Sequence, residues 1–468
     1  MMKILLVRNH KPSINTRLAE NVNKIQGIYP PLGIAYIAAV LEKEHEVSIL
    51  DTQALNLTRE GIKAAIKKFN PDIVGITCMT PTIEASLEVS ELAKEVSKEI
   101  ITVLGGPHLS VFPKETLSYE HVDFGVVGEG EIVFPKLISA LEGKKRFSDI
   151  DGLVYKDNGR IKFNPPKSYI KNLDSLPFPA RHLLPNKKYF SIHADYPFTT
   201  MITSRGCPFN CSFCFRGGFD RILRLRSPKN VVDEIELCLE MGFKEIWFYD
   251  DVFTVNKKRT AEICSEILNR GLEFKWTAIT RVDCVDYELL KKMKKAGCYR
   301  IRYGVESGDQ EILTLMNKGI NLHTVRKTIE WTKKVGIESF CFFMLGYPGE
   351  DKRKIKKTID FAIKLDPNWA MFSNTVPFPA TKLLEQACEA GLLKNKNYWR
   401  DFVLRRTNER IPYEFPGLDK WVELAFKRFY FRPKFVLKTV SKIRSLRQVK
   451  NYLLGLQALL NFKNFFYS

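Results

Sequence analysis

The first 140 residues alternate short apolar runs with amphipathic segments whose apolar positions recur every three or four residues. The apolar runs predict strands at residues 3–7, 46–50, 72–77, 100–104 and 122–127. Helical periodicity falls between them, at residues 33–43, 58–69 and 83–97. Short strands separated by helices of this length predict a parallel, doubly wound α/β sheet.

Glycines cluster in the loops that follow the fourth and fifth of these strands. The two loops are Gly105-Gly106-Pro107-His108 and Gly128-Glu129-Gly130-Glu131. Open parallel sheets bind ligands at the carboxyl ends of their strands, so both loops are predicted at the ligand-binding edge. The first strand–helix turn lacks the glycine-rich fingerprint of a dinucleotide-binding fold.

A β-hairpin is predicted over residues 151–165, because Asn158-Gly159 is a strong signal for a tight turn. The segment 173–181 that follows contains Pro177 and Pro179 and is predicted to be extended. We therefore predict a first domain over residues 1–145, joined by a hairpin and Pro-rich linker over 146–195 to the rest of the chain.

The alternation of strand and helix restarts at residue 198 and repeats six times. Strands are predicted at residues 199–203, 245–249, 274–279, 299–304, 339–345 and 370–376. Helices are predicted between them, including residues 231–241, 258–271 and 355–365. Six units are too few to close an eight-stranded barrel. The second domain is predicted over residues 196–385.

Residues 386–468 are predicted to be mainly helical, and they are basic. The chain has 468 residues, enough for about two to four domains, and a net charge of +20 that calls for an acidic partner such as nucleic acid, anionic lipid or an acidic substrate. No acidic residue follows Glu423. Val440, Ile443, Leu446 and Val449 recur every three residues among Lys and Arg, which predicts a basic amphipathic helix. Its apolar stripe is expected either at an anionic membrane surface or against the barrel.

Targeting signals are missing from the sequence. The first apolar run, residues 4–7, is too short for a signal peptide, and no run approaches the roughly 18 apolar residues that span a bilayer. Seven of the ten cysteines are scattered singly, which is typical of core thiols in a reducing compartment. The enzyme is therefore expected in the cytoplasm, either free or in peripheral contact with a membrane.

The other three cysteines lie within eight residues: Cys207, Cys211 and Cys214. A structural zinc site usually needs four ligands, and neither a second Cys pair nor a suitably spaced His follows. Disulfides would leave an odd thiol. Three close thiolates suit a cubane iron–sulfur cluster with one iron open to an outside ligand.

The pattern Cys-x-x-x-Cys-x-aromatic-Cys at the end of a first strand resembles the radical S-adenosylmethionine (SAM) enzymes. The resemblance implies a [4Fe–4S] cluster whose open iron is chelated by SAM, and a 5′-deoxyadenosyl radical released when one electron cleaves the sulfonium. It also implies an open, partial (β/α)6 barrel with its chemistry at the carboxyl ends of the strands.

The first domain resembles the cobalamin-binding domain that precedes many radical SAM cores. The resemblance is carried by residues 29–36, Tyr-Pro-Pro-Leu-Gly-Ile-Ala-Tyr, and by the two glycine loops. It implies cobalamin contacts at Gly105, Gly106, Gly128, Glu129 and Gly130. The sequence lacks the Asp-x-His-x-x-Gly motif that supplies a histidine to cobalt in better-known cobalamin domains. His108 is therefore interpreted as a loop histidine that hydrogen-bonds within the protein.

The resemblance also places SAM contacts after successive barrel strands. Asp250 and Asp251 follow the second strand, where the family holds the methionyl amino group; a helix N-cap is the alternative. Arg281, after the third strand, is predicted to pair with the methionyl carboxylate, with a salt bridge to Asp283 as the alternative. Glu306, after the fourth strand, is predicted to hold the ribose hydroxyls.

Three further positions are predicted to surround the adenine. Gly346 belongs to a Gly-Tyr-Pro-Gly-Glu turn after the fifth strand, and its missing side chain allows close backbone approach. Val376 follows the sixth strand. The backbone of Phe213 is predicted near the adenine, whereas its side chain by itself indicates a core residue.

As a whole the resemblance implies a cobalamin-dependent radical SAM enzyme, foremost a methyltransferase acting on an unactivated carbon. One alternative is an oxidative cyclase or ring-rearranging enzyme of the same architecture, as in the subfamily resembling the anaerobic magnesium-protoporphyrin ester cyclase. Another is an iron–sulfur RNA-modifying or nucleic-acid-binding protein, disfavoured because no small β-barrel pattern follows residue 390. The expected partners are a lipid-like or tetrapyrrole small molecule and a reductant such as flavodoxin or ferredoxin.

Overall fold

The structure is a computed structural model that describes residues 1–9, 27–191, 193–194, 197–215, 221–407 and 411–440. Its first part is built on a seven-stranded sheet. The strands are β1 Lys3–Arg8, β2 Glu46–Asp51, β3 Ile73–Thr77, β4 Ile101–Gly105, β5 Phe124–Val126, β6 Leu153–Asp157 and β7 Arg160–Phe163. They lie in the order β2-β1-β3-β4-β5-β6-β7. The first five are parallel, whereas the β6–β7 hairpin adds to β5 in antiparallel pairing.

Helices cover both faces of this sheet. They are α1 Leu32–Leu41, α2 Arg59–Phe69, α3 Ile83–Val96, α4 Pro113–Leu117 and α5 Gly130–Leu141. Helices α2 and α3 bury their apolar stripes on one face, and α1 and α5 bury theirs on the other. The predicted doubly wound α/β fold is confirmed, and the hairpin placed ahead of the linker extends the same sheet.

The second part is a six-stranded parallel sheet curved into a partial barrel. Its strands are β8 Phe198–Met201, β11 Glu245–Phe248, β12 Lys275–Thr280, β13 Cys298–Glu306, β14 Glu338–Leu345 and β15 Trp369–Asn374. They pair strictly in chain order, so β8 and β15 are the two edges of the sheet. A short antiparallel ribbon of β9 Ser204–Arg205 and β10 Arg224–Leu225 follows the first strand. The predicted open barrel of six units is confirmed.

Six helices cover the outside of the barrel. They are α6 Pro228–Glu240, α7 Lys257–Asn269, α8 Tyr287–Lys295, α9 Gln310–Leu315, α10 Leu322–Lys334 and α11 Lys352–Leu365. Alternate strand residues such as Ile301 and Tyr303 pack beneath these helices in one large apolar core. The residues between them therefore face the barrel interior, because successive side chains of a strand point to opposite sides.

The third part consists of helices α12 Lys382–Glu389, α13 Tyr398–Val403, α14 Leu418–Tyr430 and α15 Pro433–Val440. It packs on both preceding parts. Trp399 and Phe402 join the core of the first domain, and Phe429 is fully buried in the barrel core. No helix in the described ranges is long and apolar enough to cross a membrane.

The basic residues at the start of the tail contact acidic side chains. Arg428 lies 2.9 Å from Asp360, while Arg432 and Lys434 lie 3.3 and 3.0 Å from Asp366. This end of the tail therefore packs against the barrel. The amphipathic helix predicted from Val440 onwards lies almost wholly outside the described residues, so the place of its apolar stripe stays a prediction.

Candidate active site

The three clustered cysteines lie in the loop that leaves β8 through the β9 ribbon. Cys207 and Cys211 are half-buried and Cys214 is exposed, and none of the three forms a disulfide. Six of the other seven cysteines are buried. Short strand β8 ends at Met201, so the loop starts at the carboxyl edge of the barrel, where ligands of parallel β/α folds bind.

Asp250 anchors the start of this loop. Its buried carboxylate accepts hydrogen bonds from the backbone N–H of Thr203 at 2.6 Å and of Ser204 at 3.1 Å, and from the Thr203 hydroxyl. Burial raises the pKa of Asp250. The neighbouring Asp251 is exposed. The N-cap alternative is wrong, because helix α7 begins later and Asn256 caps it. Contact of either aspartate with SAM stays a prediction.

Arg281 reaches the cysteine loop from the end of β12. Its guanidinium lies 3.7 Å from the sulfur of Cys211 and stacks on the Phe209 ring at 3.8 Å. It also forms a two-point salt bridge with Asp283, through contacts of 2.9 and 2.8 Å. The structure thus contains the salt bridge considered as the alternative, and the contact with the methionyl carboxylate stays a prediction.

Glu306 lies at the end of β13 with its carboxylate 2.8 Å from the ammonium of Lys318. Both residues are buried. Gly304 precedes this pair, and a Cβ there would lie 2.5 Å from the Glu306 carboxylate and 2.9 Å from the Lys318 nitrogen. A side chain at position 304 would therefore displace the charged ends of this ion pair. The sequence analysis did not identify Lys318. The turn Asn317-Lys318-Gly319 after α9 could have indicated a tight, ordered loop there.

The loop containing Lys318 also holds the cysteine loop in place. The backbone N–H of Ser212 donates to the carbonyl of Met316 at 2.9 Å, and the Asn317 amide donates to the carbonyl of Asn210 at 2.7 Å. Arg281 completes the link by donating to the Lys318 carbonyl at 2.7 Å. The cysteine loop is therefore fixed by backbone contacts to the segment after α9.

Gly346 and Glu350 form a tight turn after β14. The Glu350 carboxylate accepts from the N–H groups of Gly346 at 2.6 Å and Tyr347 at 3.0 Å. Its other oxygen is buried with no hydrogen-bond partner among the described residues. Burial raises the pKa of Glu350 to about 7. The φ of +84° at Gly346 is one that residues with a side chain rarely adopt.

The two remaining SAM candidates lie on opposite sides of the site. Phe213 packs against the barrel core, with the Lys318 ammonium 5.5 Å from its ring centroid. Val376 instead packs with the apolar core of the first domain. Direct contact of either residue with SAM stays a prediction.

The glycine loop after β5 touches the start of the cysteine loop. Arg205 lies 2.7 Å from the Glu129 carboxylate and 2.5 Å from that of Glu131. Arg224, opposite Arg205 in the ribbon, lies 2.8 Å from Glu129. The carboxylate of Glu129 is therefore bound to two arginines of the second domain, and these partly buried ion pairs tie the two candidate cofactor loops together.

The other glycine loop contains a buried histidine. His108 is fully buried, and its Nδ1 forms a hydrogen bond of 3.1 Å with the Thr80 hydroxyl. Burial lowers the pKa of His108 to about 3. Its imidazole is therefore neutral, and its enclosed position agrees with the interpretation of a hydrogen-bonded loop histidine. Gly106 has a φ of +100°, and a Cβ there would lie 2.7 Å from the carbonyl of Cys78.

The donor chemistry of both loops fits the implied cofactors. Soft thiolate ligands suit iron–sulfur clusters, and the Arg281 cation lies beside Cys211. Within the described ranges, no three His, Cys, Asp or Glu side chains converge closely enough to hold one metal ion. In the loops after β4 and β5, Gly105, Gly106 and Gly128 have no side chain that would keep out a large flat macrocycle, and the charges of Glu129 and Glu131 are paired with Arg205 and Arg224. Cys207, Cys211 and Cys214 would hold the cluster, and the loops after β4 and β5 would hold cobalamin.

Comparison with known proteins identifies the two domains. Residues 21–138 match the B12 binding domain family, and residues 201–362 match the radical SAM superfamily. A protein from Pyrococcus horikoshii named an uncharacterised methyltransferase is 37% identical over 94% of this chain and 95% of its own length. The chain belongs to the cobalamin-dependent radical SAM enzymes.

Two further similarities cover the same domains. The anaerobic magnesium-protoporphyrin IX monomethyl ester cyclase of Rubrivivax gelatinosus is 31% identical over 78% of this chain and 67% of its own. The solved structure of OxsB, with aqua-cobalamin and SAM bound, has a TM-score of 0.69 at 18% identity, and covers 99% of this chain and 72% of that one. The predicted family and its cofactors, a [4Fe–4S] cluster, SAM and cobalamin, are confirmed.

Substituting Glu306 by Gln is expected to weaken SAM binding by this radical SAM enzyme by about 10- to 100-fold. The amide removes the negative charge that both the ribose hydroxyls and Lys318 would contact, and hydrogen bonds to charged groups contribute about 1.5–3 kcal/mol. Isothermal titration of anaerobically reconstituted protein with SAM measures the affinity. Glu311→Gln, on nearby helix α9, is the control, and equal affinity for wild type and Glu306→Gln would contradict the assignment.

The stability of the enzyme is expected to fall between pH 4.5 and 7 through Glu350. The folded state holds this proton more tightly than the unfolded state, so the stabilisation is complete below about pH 4.5 and is lost as the pH rises through about 7. The loss amounts to about 3 kcal/mol. Urea denaturation across this range should show a smaller decline for Glu350→Gln, whereas exposed Glu385→Gln should follow wild type. Parallel curves for wild type and Glu350→Gln would exclude the effect.

Proposed function

We propose that this radical SAM enzyme is a methyltransferase that acts on an unactivated carbon of a small-molecule substrate. The observation that supports it most directly is the joining of the two candidate cofactor loops by Arg205. This residue belongs to the loop of the three cysteines and lies 2.7 and 2.5 Å from Glu129 and Glu131 of the cobalamin domain. The long match to a relative named a methyltransferase supports the same reaction.

When bound, the three cofactors supply an electron, a 5′-deoxyadenosyl radical and a methyl group. The residues of this chain orient and enclose them. Cys207, Cys211 and Cys214 hold the cluster, while Glu306 with Lys318 fixes the ribose end of SAM. The Arg205 ion pairs hold the two domains in a fixed relative position, so that a substrate between them is within reach of both cofactors.

The products of SAM distinguish this reaction from its alternatives. Reconstituted enzyme is incubated anaerobically with hydroxocobalamin, a reductant, candidate substrates and SAM that carries a trideuterated methyl group, so that SAM is the only source of the methyl group. Methyl transfer is expected to give both S-adenosylhomocysteine and 5′-deoxyadenosine, together with a product that contains the deuterated methyl group. A product without deuterium, formed with 5′-deoxyadenosine alone, would contradict methyl transfer.

A radical cyclase or ring-rearranging enzyme is the second candidate. It is favoured by the 31% identity to the magnesium-protoporphyrin ester cyclase over 78% of this chain. In the same experiment, this reaction gives a product whose mass changes without incorporation of the labelled methyl group. The label therefore separates the two candidates directly.

A lipid-like or tetrapyrrole substrate, delivered at a membrane surface in the cytoplasm, is our proposal for the substrate class. The end of the described chain supports it, since Phe431, Val436 and Leu437 are exposed beside Lys434. A reductant such as flavodoxin or ferredoxin would supply the electron. Deletion after Arg432 spares the buried helix α14, removes Lys434, Val436 and Leu437 with the basic residues that follow, and is expected to abolish sedimentation with anionic liposomes. If the full chain ignores such liposomes at low salt, the membrane proposal is wrong.

A further inference from the structure

Strand β13 presents two arginines to the barrel interior, and they differ in their partners. Arg300 donates to the Glu338 carboxylate at 2.8 Å and to the carbonyl of His193 at 3.1 Å. Arg302, two residues further along, is only 7% exposed, and its Nε is buried without an acceptor. Among the residues that the structure describes, no carboxylate lies within ion-pair distance of Arg302. Of two similar buried cations, one therefore has no counter-ion in the part of the chain that the structure describes.

The guanidinium of Arg302 lies on aromatic rings instead. It is 3.8 Å from the ring centroid of Trp247 and 5.8 Å from that of Tyr249. An aromatic face attracts a cation but does not replace the directional acceptors that five N–H groups require. A buried charge without an acceptor is unfavourable, so its presence calls for a role other than stabilising the fold.

Two hydroxyl groups beside Trp247, level with Arg300 and two residues before the level of Arg302, also have no hydrogen-bond partner among the described residues. Thr200 on β8 and Thr277 on β12 both pair in register with Trp247 of the strand between them. Residues in register on adjacent strands share a face, so these three side chains line one wall of the barrel. Both threonine hydroxyl oxygens are buried and lack a hydrogen bond to any described residue. The wall beneath Arg302 thus offers a cation and two hydroxyl donors.

The position of this wall suits a substrate held between the cofactors. Tyr29, which precedes α1 of the cobalamin domain, has its ring centroid 5.5 Å from Trp247 and 5.8 Å from Tyr249. The first domain therefore packs over the same group of aromatic side chains. Glu306 lies four residues beyond Arg302 on β13, about 13 Å away at the usual rise of a strand. That distance is comparable with the length of a small molecule.

We propose that Arg302, assisted by Thr200 and Thr277, binds an anionic group of the substrate, a carboxylate or a phosphate. The planar guanidinium can donate two parallel hydrogen bonds to either group, and the threonine hydroxyls can donate to the remaining oxygens. The inference rests on the proposed function in one respect, since it takes the barrel interior as the substrate site. It adds that the substrate is acidic and is anchored on the inner wall below the SAM position.

Thermal melting of the anaerobically reconstituted full chain tests the anion site without knowledge of the substrate. The probes are propionate and inorganic phosphate, with neutral propionamide and sodium chloride of equal ionic strength as controls. At least one anion is expected to raise the melting temperature by about 2 °C or more, and propionamide is not. A response to propionate alone assigns a carboxylate, and a response to phosphate alone assigns a phosphate. No response to either anion overturns the proposal.

Two matched variants show whether the response belongs to this arginine. Arg302→Gln is expected to lose the anion response, whereas Arg300→Gln, which breaks the pair with Glu338, is expected to keep it at a lower melting temperature. Arg302→Met is expected to raise the melting temperature of the protein without anion by about 2–4 °C, because an unpaired buried charge is removed. A lower melting temperature for Arg302→Met would show that Arg302 is a structural residue packed on Trp247, and would overturn the proposal.

The outcome is independent of the reaction that the enzyme catalyses. Products of labelled SAM test methyl transfer, and melting curves without a methyl acceptor test the anion site. An anion response with no methylated product leaves the acidic substrate in place and rejects only the reaction class. Methyl transfer to a neutral substrate, with no anion response, rejects the anion site and leaves the reaction class in place.

Discussion

Replacing any one of Cys207, Cys211 and Cys214 by Ala is expected to abolish the iron–sulfur cluster. Each thiolate would be the protein's only ligand to its own iron, so no neighbouring side chain can substitute for it. Wild-type protein reconstituted anaerobically is expected to contain about four irons per chain and a broad brown absorbance, and each variant to contain almost none. Iron analysis and absorption spectroscopy measure both quantities.

Cys388→Ala is the control for this experiment. Cys388 is a half-buried free thiol on helix α12, outside the cysteine loop, and its removal is expected to leave the iron content unchanged. Full occupancy of the cysteine loop by zinc that iron does not displace would reject both the cluster and the radical reaction.

Substituting Glu234 by Gln is expected to lower the free energy of unfolding by about 3–5 kcal/mol, because it leaves two buried arginines without their carboxylate. Glu234 is fully buried on α6, where it lies 2.6 Å from Arg181 and also pairs with Arg226. Arg181 in turn donates to the carbonyl of Thr200 at 2.8 Å, and Arg226 to that of Ile202 at 2.9 Å. The carboxylate therefore supports the strand that leads into the cysteine loop.

Urea denaturation followed by tryptophan fluorescence measures the loss. Glu240→Gln, at the exposed end of the same helix, is the control and is expected to stay within about 0.5 kcal/mol of wild type. A triple replacement of Glu234, Arg181 and Arg226 by apolar residues of similar volume is expected to recover most of the stability, since it leaves no unpaired charge. A change for Glu234→Gln as small as that of the control would show that the pair does not support the strand.

The strands and helices could be predicted well from the sequence, because their signals are local. The apolar run predicted at residues 46–50 became strand Glu46–Asp51, and the periodicity at residues 58–69 became helix Arg59–Phe69. Thr58 caps that helix by accepting from Gly61, so the boundary also depends on neighbouring residues alone. The Asn158-Gly159 turn likewise produced the hairpin. What the sequence did not predict is that this hairpin pairs with β5, a contact that depends on the chain returning to a sheet edge.

The three cysteines predicted as cluster ligands could also be found from a local signal, whereas the contacts around them could not. Three thiols within eight residues are visible in any reading of the chain. The partner of Glu306 is Lys318, and that of Asp250 is the backbone at Thr203 and Ser204, 46 or 47 residues earlier. Such pairs depend on where parallel strands end in space. A single sequence contains no periodic signal that reveals which residues will meet there.

The sequence by itself determined the class of each domain and their order, and it predicted the cysteine ligands, because periodicity and spacing act over a few residues. Only the tertiary structure decided how charges are partnered. It bound Glu129 to Arg205 and Arg224, paired Arg428 and Arg432 with barrel carboxylates, and left the Nε of Arg302 without an acceptor among the described residues. A charge looks the same in the sequence whether it is paired or not. Its partner is chosen by side chains from distant segments that meet only when the chain is folded, and burial then makes that choice energetically large.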